Sequence, residues 1–149
     1  MMAETEQERV EREYHELLEE IRVTLPGVEV ILAFLLTVPF TERFGQLDEL
    51  ERHVYAGALL CVAVAVALLL APSAYHRIRF QADDKAWITR RGNALVLWAM
   101  AILVPGIVGA LFVVTDVIFN RAFVVGTAGV LGLLLVALWF LVPLLRRRG

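Results

Sequence analysis

The sequence predicts an all-α polytopic membrane protein: four transmembrane helices preceded by an acidic, amphipathic cytoplasmic helix. Three observations carry that expectation. The 149 residues are 59% hydrophobic with a mean hydropathy of +0.70, whereas soluble domains are about 45–50% apolar. The excess is gathered into four runs, 25–41, 54–74, 93–115 and 122–145, and the last three hold no charged residue. Each of those three exceeds the roughly 18–20 residues needed to cross about 30 Å of hydrocarbon. Finally, the Lys and Arg residues are segregated between the segments that join the runs.

The N-terminal element comes first. Residues 4–22, "ETEQERVEREYHELLEEIR", contain eight Glu and three Arg. They are strong helix formers with no Gly or Pro. Val10, Tyr14, Leu17, Leu18, Ile21 and Leu25 recur at steps near three and four, which draws one apolar stripe. Arg9 and Arg12 are placed to support Glu13 and Glu16. So acidic a helix is unsuited to an anionic leaflet, which prefers Lys and Arg. Its stripe is expected either to pack on its own copies or on the basic segment 76–92, or to belong to a solvated, partly frayed helix. Residues 1–23 are assigned to this helix, 24–145 to the transmembrane domain and 146–149 to a basic tail.

The first run is the shortest, and it contains Glu29. It follows some two dozen mostly acidic residues, and no small-x-small cleavage pattern comes after it, so it is expected to be a retained span. Thr24 is placed to cap a helix that begins near Leu25, because the residue before Pro26 is disfavoured from helical geometry. The remaining spans carry small residues suited to close helix contact. These are Ala56, Gly57, Ala63, Ala65, Ala67 and Ala71 in the second, "PGIVGA" from Pro105 in the third, and Gly126, Ala128, Gly129 and Gly132 in the fourth. Pro39, Pro105 and Pro143 are expected to kink their helices.

Orientation follows from the basic residues. With an even number of spans, the termini and the second connection share one side and hold 11 Lys and Arg, against 3 on the other side. The positive-inside rule then predicts a multi-pass protein of the plasma (inner) membrane with both termini cytoplasmic.

Much chemistry is disfavoured. A lone cysteine, Cys61, permits neither an intrachain disulfide nor a Cys-based zinc site. His15, His53 and His76 do not share a membrane side under this topology, and no phosphate loop, nucleophile elbow or HExxH is present. No enzyme activity, cofactor, metal ion or nucleic acid is expected.

The second connection and the span ends carry family character. The run "APSAYHR", together with "FLLTVPFTERF", resembles an uncharacterised actinobacterial family of small four-span integral membrane proteins. The resemblance covers most of residues 22–120, with Pro72, Tyr75, His76 and Arg77 as its most specific part. It implies the topology and assigns no activity.

Glu29 is the principal functional lead, and two readings of it stand side by side. In one it is an interfacial carboxylate, just over one turn into its helix and held by the helix dipole or by Arg22, Arg91 or Arg146. In the other, Glu29, Ala33, Thr37 and Thr41, spaced four apart, form a small and polar strip that faces a path through the protein. A ring of such carboxylates in a homo-oligomer selects cations. The functional expectation is a small oligomeric cation channel or pore in the lipid bilayer. The rivals are a non-enzymatic structural or regulatory membrane protein that binds a partner through its cytoplasmic helix, and a proton-coupled transporter. Glu42, Asp116, Tyr75, His76 and Arg77 are secondary candidates, with Asp116 expected to be a solvated helix-edge residue.

Overall fold

A computed structural model of the protein describes residues 5–78 and 85–146. Among the described residues there is no strand, and four helices are long and apolar enough to cross a membrane. They are α1 (Glu6–Thr37), α2 (Glu49–Ile78), α3 (Lys85–Asp116) and α4 (Arg121–Val136), the last continued by a π turn (Ala137–Leu141) and α5 (Val142–Arg146).

The acidic segment and the first apolar run are one helix. Thr5 caps it: its hydroxyl accepts from the Glu8 N–H, and the Glu8 carboxylate accepts from the Thr5 N–H. This reciprocal pair satisfies two otherwise orphan donors. It also holds the Glu8 carboxyl below the usual carboxylate range, chiefly through the Thr5 N–H. Arg9–Glu13 and Arg12–Glu16 pair one turn apart at 2.9 and 2.8 Å. Pro26 lies inside this helix, so the helix start expected at Leu25, with Thr24 as its cap, does not exist. The helix ends at Thr37 instead. Pro39 there opens one of two short 3₁₀ turns, Val38–Phe40 and Glu42–Gln46, that lead to α2.

At about 1.5 Å per residue, α1 and α3 are each roughly 48 Å long, well beyond the 30 Å of a hydrocarbon core. The extra length of α1 is not idle. Tyr14, Leu17 and Ile21 are buried, and Leu17 and Pro72 meet at Gly92, at the ends of the apolar runs of α2 and α3. The stripe is covered within the chain at Pro72 of α2 and Gly92 of α3.

The central pair is the antiparallel α2–α3 hairpin, with α1 packed on both helices and α4 on α3. Small residues allow the close approach. A Cβ on Gly106 would stand 2.9 Å from Val62 Cγ2, and one on Gly109 3.0 Å from Ala58 Cβ. Gly126 and Gly129, expected as contact positions, have nothing within 4 Å. The outer faces stay apolar and exposed, with Val30, Phe34, Trp98, Val130 and Leu133 among them. Near the end of the chain, Pro143 has no N–H to offer the preceding turn. The helix widens there, and the Val142 N–H reaches back to the Ala137 carbonyl.

Candidate functional site

The register of α1 sets the depth of Glu29. Leu17 lies level with Pro72 and Gly92, and the Tyr55 hydroxyl donates to the Leu35 carbonyl at 2.7 Å. α1 therefore advances nearly residue for residue against α2 and α3. Glu29 falls level with about residue 60 of α2 and about residue 104 of α3. Those positions lie near the middle of the apolar runs 54–74 and 93–115. The helix start expected near Leu25 is absent, and the register sets Glu29 level with the middle of those runs.

Its side chain is exposed on the outward face of α1, and among the described residues it makes no ion pair or hydrogen bond. None of Arg22, Arg91 and Arg146 reaches it. Arg91 lies level with about residue 16 of α1, some 20 Å away along the axis. The Arg91 guanidinium instead sits 5.9 Å from the Trp87 ring.

The strip beyond Glu29 is helical only in part. Ala33 and Thr37 share its exposed face, and the Thr37 hydroxyl donates to the Ala33 carbonyl at 2.9 Å. Thr41 lies past the helix in extended backbone, where its hydroxyl donates to the Val38 carbonyl. Thr37 and Thr41 line an apolar recess of about 450 Å³ between the end of α1 and α3, with Phe34, Val113 and Val117 in its wall and Arg43 among its lining. Glu29 does not line this recess. Glu42 is exposed.

The other candidates separate. The Tyr75 ring stands 5.9 Å from that of Trp87, and Arg77 is exposed. The side chain of His76 lies outside the described residues, as do the tail residues Arg147 and Arg148. Asp116 is not the solvated edge residue expected: its side chain is only 6% exposed. It belongs to a cluster whose other members sequence reasoning missed.

That cluster joins the ends of α2, α3 and α4. Asp48 caps α2: its Oδ1 accepts the Glu51 N–H at 2.8 Å, and Glu51 Oε2 accepts the Asp48 N–H at 2.7 Å. Arg121, at the head of α4, donates to Asp48 Oδ2 and to Asp116 Oδ2, both at 2.8 Å. Its guanidinium lies 5.9 Å from the Phe112 ring. Glu51 precedes the apolar run that starts at Val54, and its side chain is 10% exposed. The Asp116 carboxyl beside it, and then burial, push its carboxyl above the usual range. Asp48 goes the other way, lowered first by the Glu51 N–H and then by Arg121. The legible signal was D-x-x-E immediately ahead of an apolar run, a capping-box pattern. Nothing local announced that Asp116 and Arg121 would meet it.

Among the described residues no group of His, Cys, Asp and Glu is arranged to hold a metal ion. No curated protein and no solved structure is detectably similar to the chain. One family does match, from residue 3 to residue 143, and its description is "Family of unknown function". The match covers α1 to the π turn and reaches into α5, so the chain belongs to that family, DUF6328.

Proposed function

We propose that the protein is a non-enzymatic, multi-pass membrane protein whose copies meet along the outward face of α1, so that Glu29 carboxylates from several copies line a path for cations. One observation carries the reading: a carboxylate level with the middle of the apolar runs, exposed in the single chain, with no partner among the described residues. An acidic side chain at the centre of a membrane helix costs about 2.5–3.5 kcal/mol on insertion scales, and such residues face protein or water. In a single copy Glu29 faces lipid, and contact between copies removes that cost. A ring of carboxylates then attracts and selects cations. The basic-residue bias orients the assembly with both termini in the cytoplasm.

The rival reading, a regulatory protein that grips a partner through its N-terminal helix, is weakened by packing. The apolar stripe that a partner would hold is covered by α2 and α3. Only its acidic outer face is left.

Two measurements test the proposal. With Cys61→Ala as background, Ala33→Cys is expected to cross-link copies in lipid membranes, and a cysteine at exposed Leu133 on α4 is not. Cation flux into liposomes is expected for the intact chain and to fall, with loss of cation selectivity, in Glu29→Gln. A chain that stays monomeric at every concentration, or flux indifferent to Glu29→Gln, removes the carboxylate ring from the account.

A further inference from the structure

The cluster at the ends of α2, α3 and α4 contains an imbalance that can be followed oxygen by oxygen. Both oxygens of Asp48 are engaged, one by the Glu51 N–H and one by Arg121. Glu51 Oε2 accepts the Asp48 N–H, and Asp116 Oδ2 accepts from Arg121. Two oxygens are left over. Glu51 Oε1 stands 3.7 Å from Arg121 Nη2, beyond hydrogen-bonding reach. Asp116 Oδ1 is buried with no donor. Yet Glu51 Oε1 and Asp116 Oδ2 stand 3.7 and 2.8 Å from the same Arg121 Nη2, so the two carboxyls are close neighbours. Two ionised carboxylates are acceptors only, so neither can satisfy the other.

We propose that Glu51 and Asp116 form a proton-binding site, in which Glu51 carries one proton on the oxygen left free by the Asp48 N–H and donates it to Asp116 Oδ1. The step is simple protonation by water-borne protons: an O–H bond forms on Glu51 and no other bond changes. The charged groups that face Glu51 are Asp48 from the segment entering α2, Asp116 from α3 and Arg121 from α4. With every carboxyl ionised, these four groups sum to −2 around two nearly buried side chains. One proton lowers that to −1 and supplies the donor that Asp116 lacks. The neighbouring Asp116 carboxylate disfavours a further negative charge on Glu51. Asp48 and Arg121, about half exposed, open the site to solvent for exchange. Release of the proton sets two carboxylates against each other where three helices are tied, and so loosens the junction that holds the head of α4. The site is independent of Glu29 and of the pore reading.

Infrared spectroscopy of the full chain in lipid nanodiscs tests this, by following the carbonyl stretch of protonated carboxyl groups through a pH titration. The intact chain is expected to show such a band at neutral pH and to lose it as pH rises. Glu29→Gln is the control for the carboxyl level with the middle of the apolar runs, and the band is expected to survive it. Glu51→Gln is expected to lose the band while keeping the fold, because the amide donates to the same Asp116 oxygen. Asp116→Asn removes the facing charge, so the titration is expected to move down toward the ordinary glutamate range. This arm also decides the matter should Glu51→Gln fail to fold. No neutral-pH band in the intact chain, a band that survives Glu51→Gln, or a titration unmoved by Asp116→Asn overturns the proposal.

Discussion

Replacing Gly106 by Ala tests whether the α2–α3 contact is the tight joint of the bundle. The new methyl carbon would lie 2.9 Å from Val62 Cγ2, 3.3 Å from Cys61 Cβ and 3.4 Å from the Val62 backbone nitrogen. Contacts near 4 Å are comfortable for carbon atoms, so the first of these must open by several tenths of an ångström. Val62 is fully buried, and a β-branched side chain in a helix has one strongly preferred rotamer, so it does not swing aside. Overpacking of this kind costs about 1–3 kcal/mol. Against it stands the helix-propensity gain of Ala over Gly, about 0.8–1 kcal/mol. The net expectation is a loss of up to about 2 kcal/mol. Gly57, in the same helix pair, has nothing within 4 Å of its would-be Cβ. Gly57→Ala therefore has only the propensity term and is expected to stabilise by just under 1 kcal/mol. Reversible unfolding in mixed micelles, followed by helicity, measures both changes. A Gly106→Ala chain as stable as the Gly57→Ala chain would refute the reasoning, since the two substitutions differ only in what the methyl meets.

Tyr55→Phe removes the buried hydroxyl that donates to the Leu35 carbonyl, and a loss of about 0.5–1.5 kcal/mol is expected in the same assay. The Val38 N–H also donates to that carbonyl, which keeps the cost from rising further. Leu17→Ala is expected to cost about 2–5 kcal/mol and to speed proteolysis of the first twenty residues, because Leu17 is the side chain that seats the N-terminal half of α1 on Pro72 and Gly92. The cluster at the ends of α2, α3 and α4 predicts stability lost on both sides of a pH optimum. The Asp48 carboxyl is lowered, so its contribution is present above the ordinary Asp range and lost as pH falls through its folded value. The Glu51 carboxyl is raised, so its contribution is present below the ordinary Glu range and lost as pH rises through its folded value. Glu51→Gln is expected to remove the second loss and leave the first, as read from unfolding midpoints across pH.

The all-helical class and the number of long helices were legible in the sequence, because three uncharged runs longer than a bilayer is thick leave a short chain no soluble core to build. The N-terminal stripe was legible too, as helical spacing depends only on local geometry. What covers the stripe was not. Gly92 and Pro72 are ordinary residues until the register brings Leu17 between them. The helix start near Glu29 was misread for a related reason: Pro26 and Thr24 resemble such a start, but a helix already capped at Thr5 and seated on α2 and α3 continues through the proline. Local preference yielded to tertiary packing, and the depth of Glu29 then followed from contacts at Leu17 and Leu35 rather than from distance to a helix end. In the same way, Asp116 looked solvated at the edge of its run. Only the antiparallel arrangement brings Asp48 and Glu51 to Asp116 and Arg121, and the Asp48–Arg121 pair spans 73 residues of sequence. Hydrophobic periodicity is written along the chain, whereas the pairing of charges depends on where helices of matched length end, and that is decided by packing.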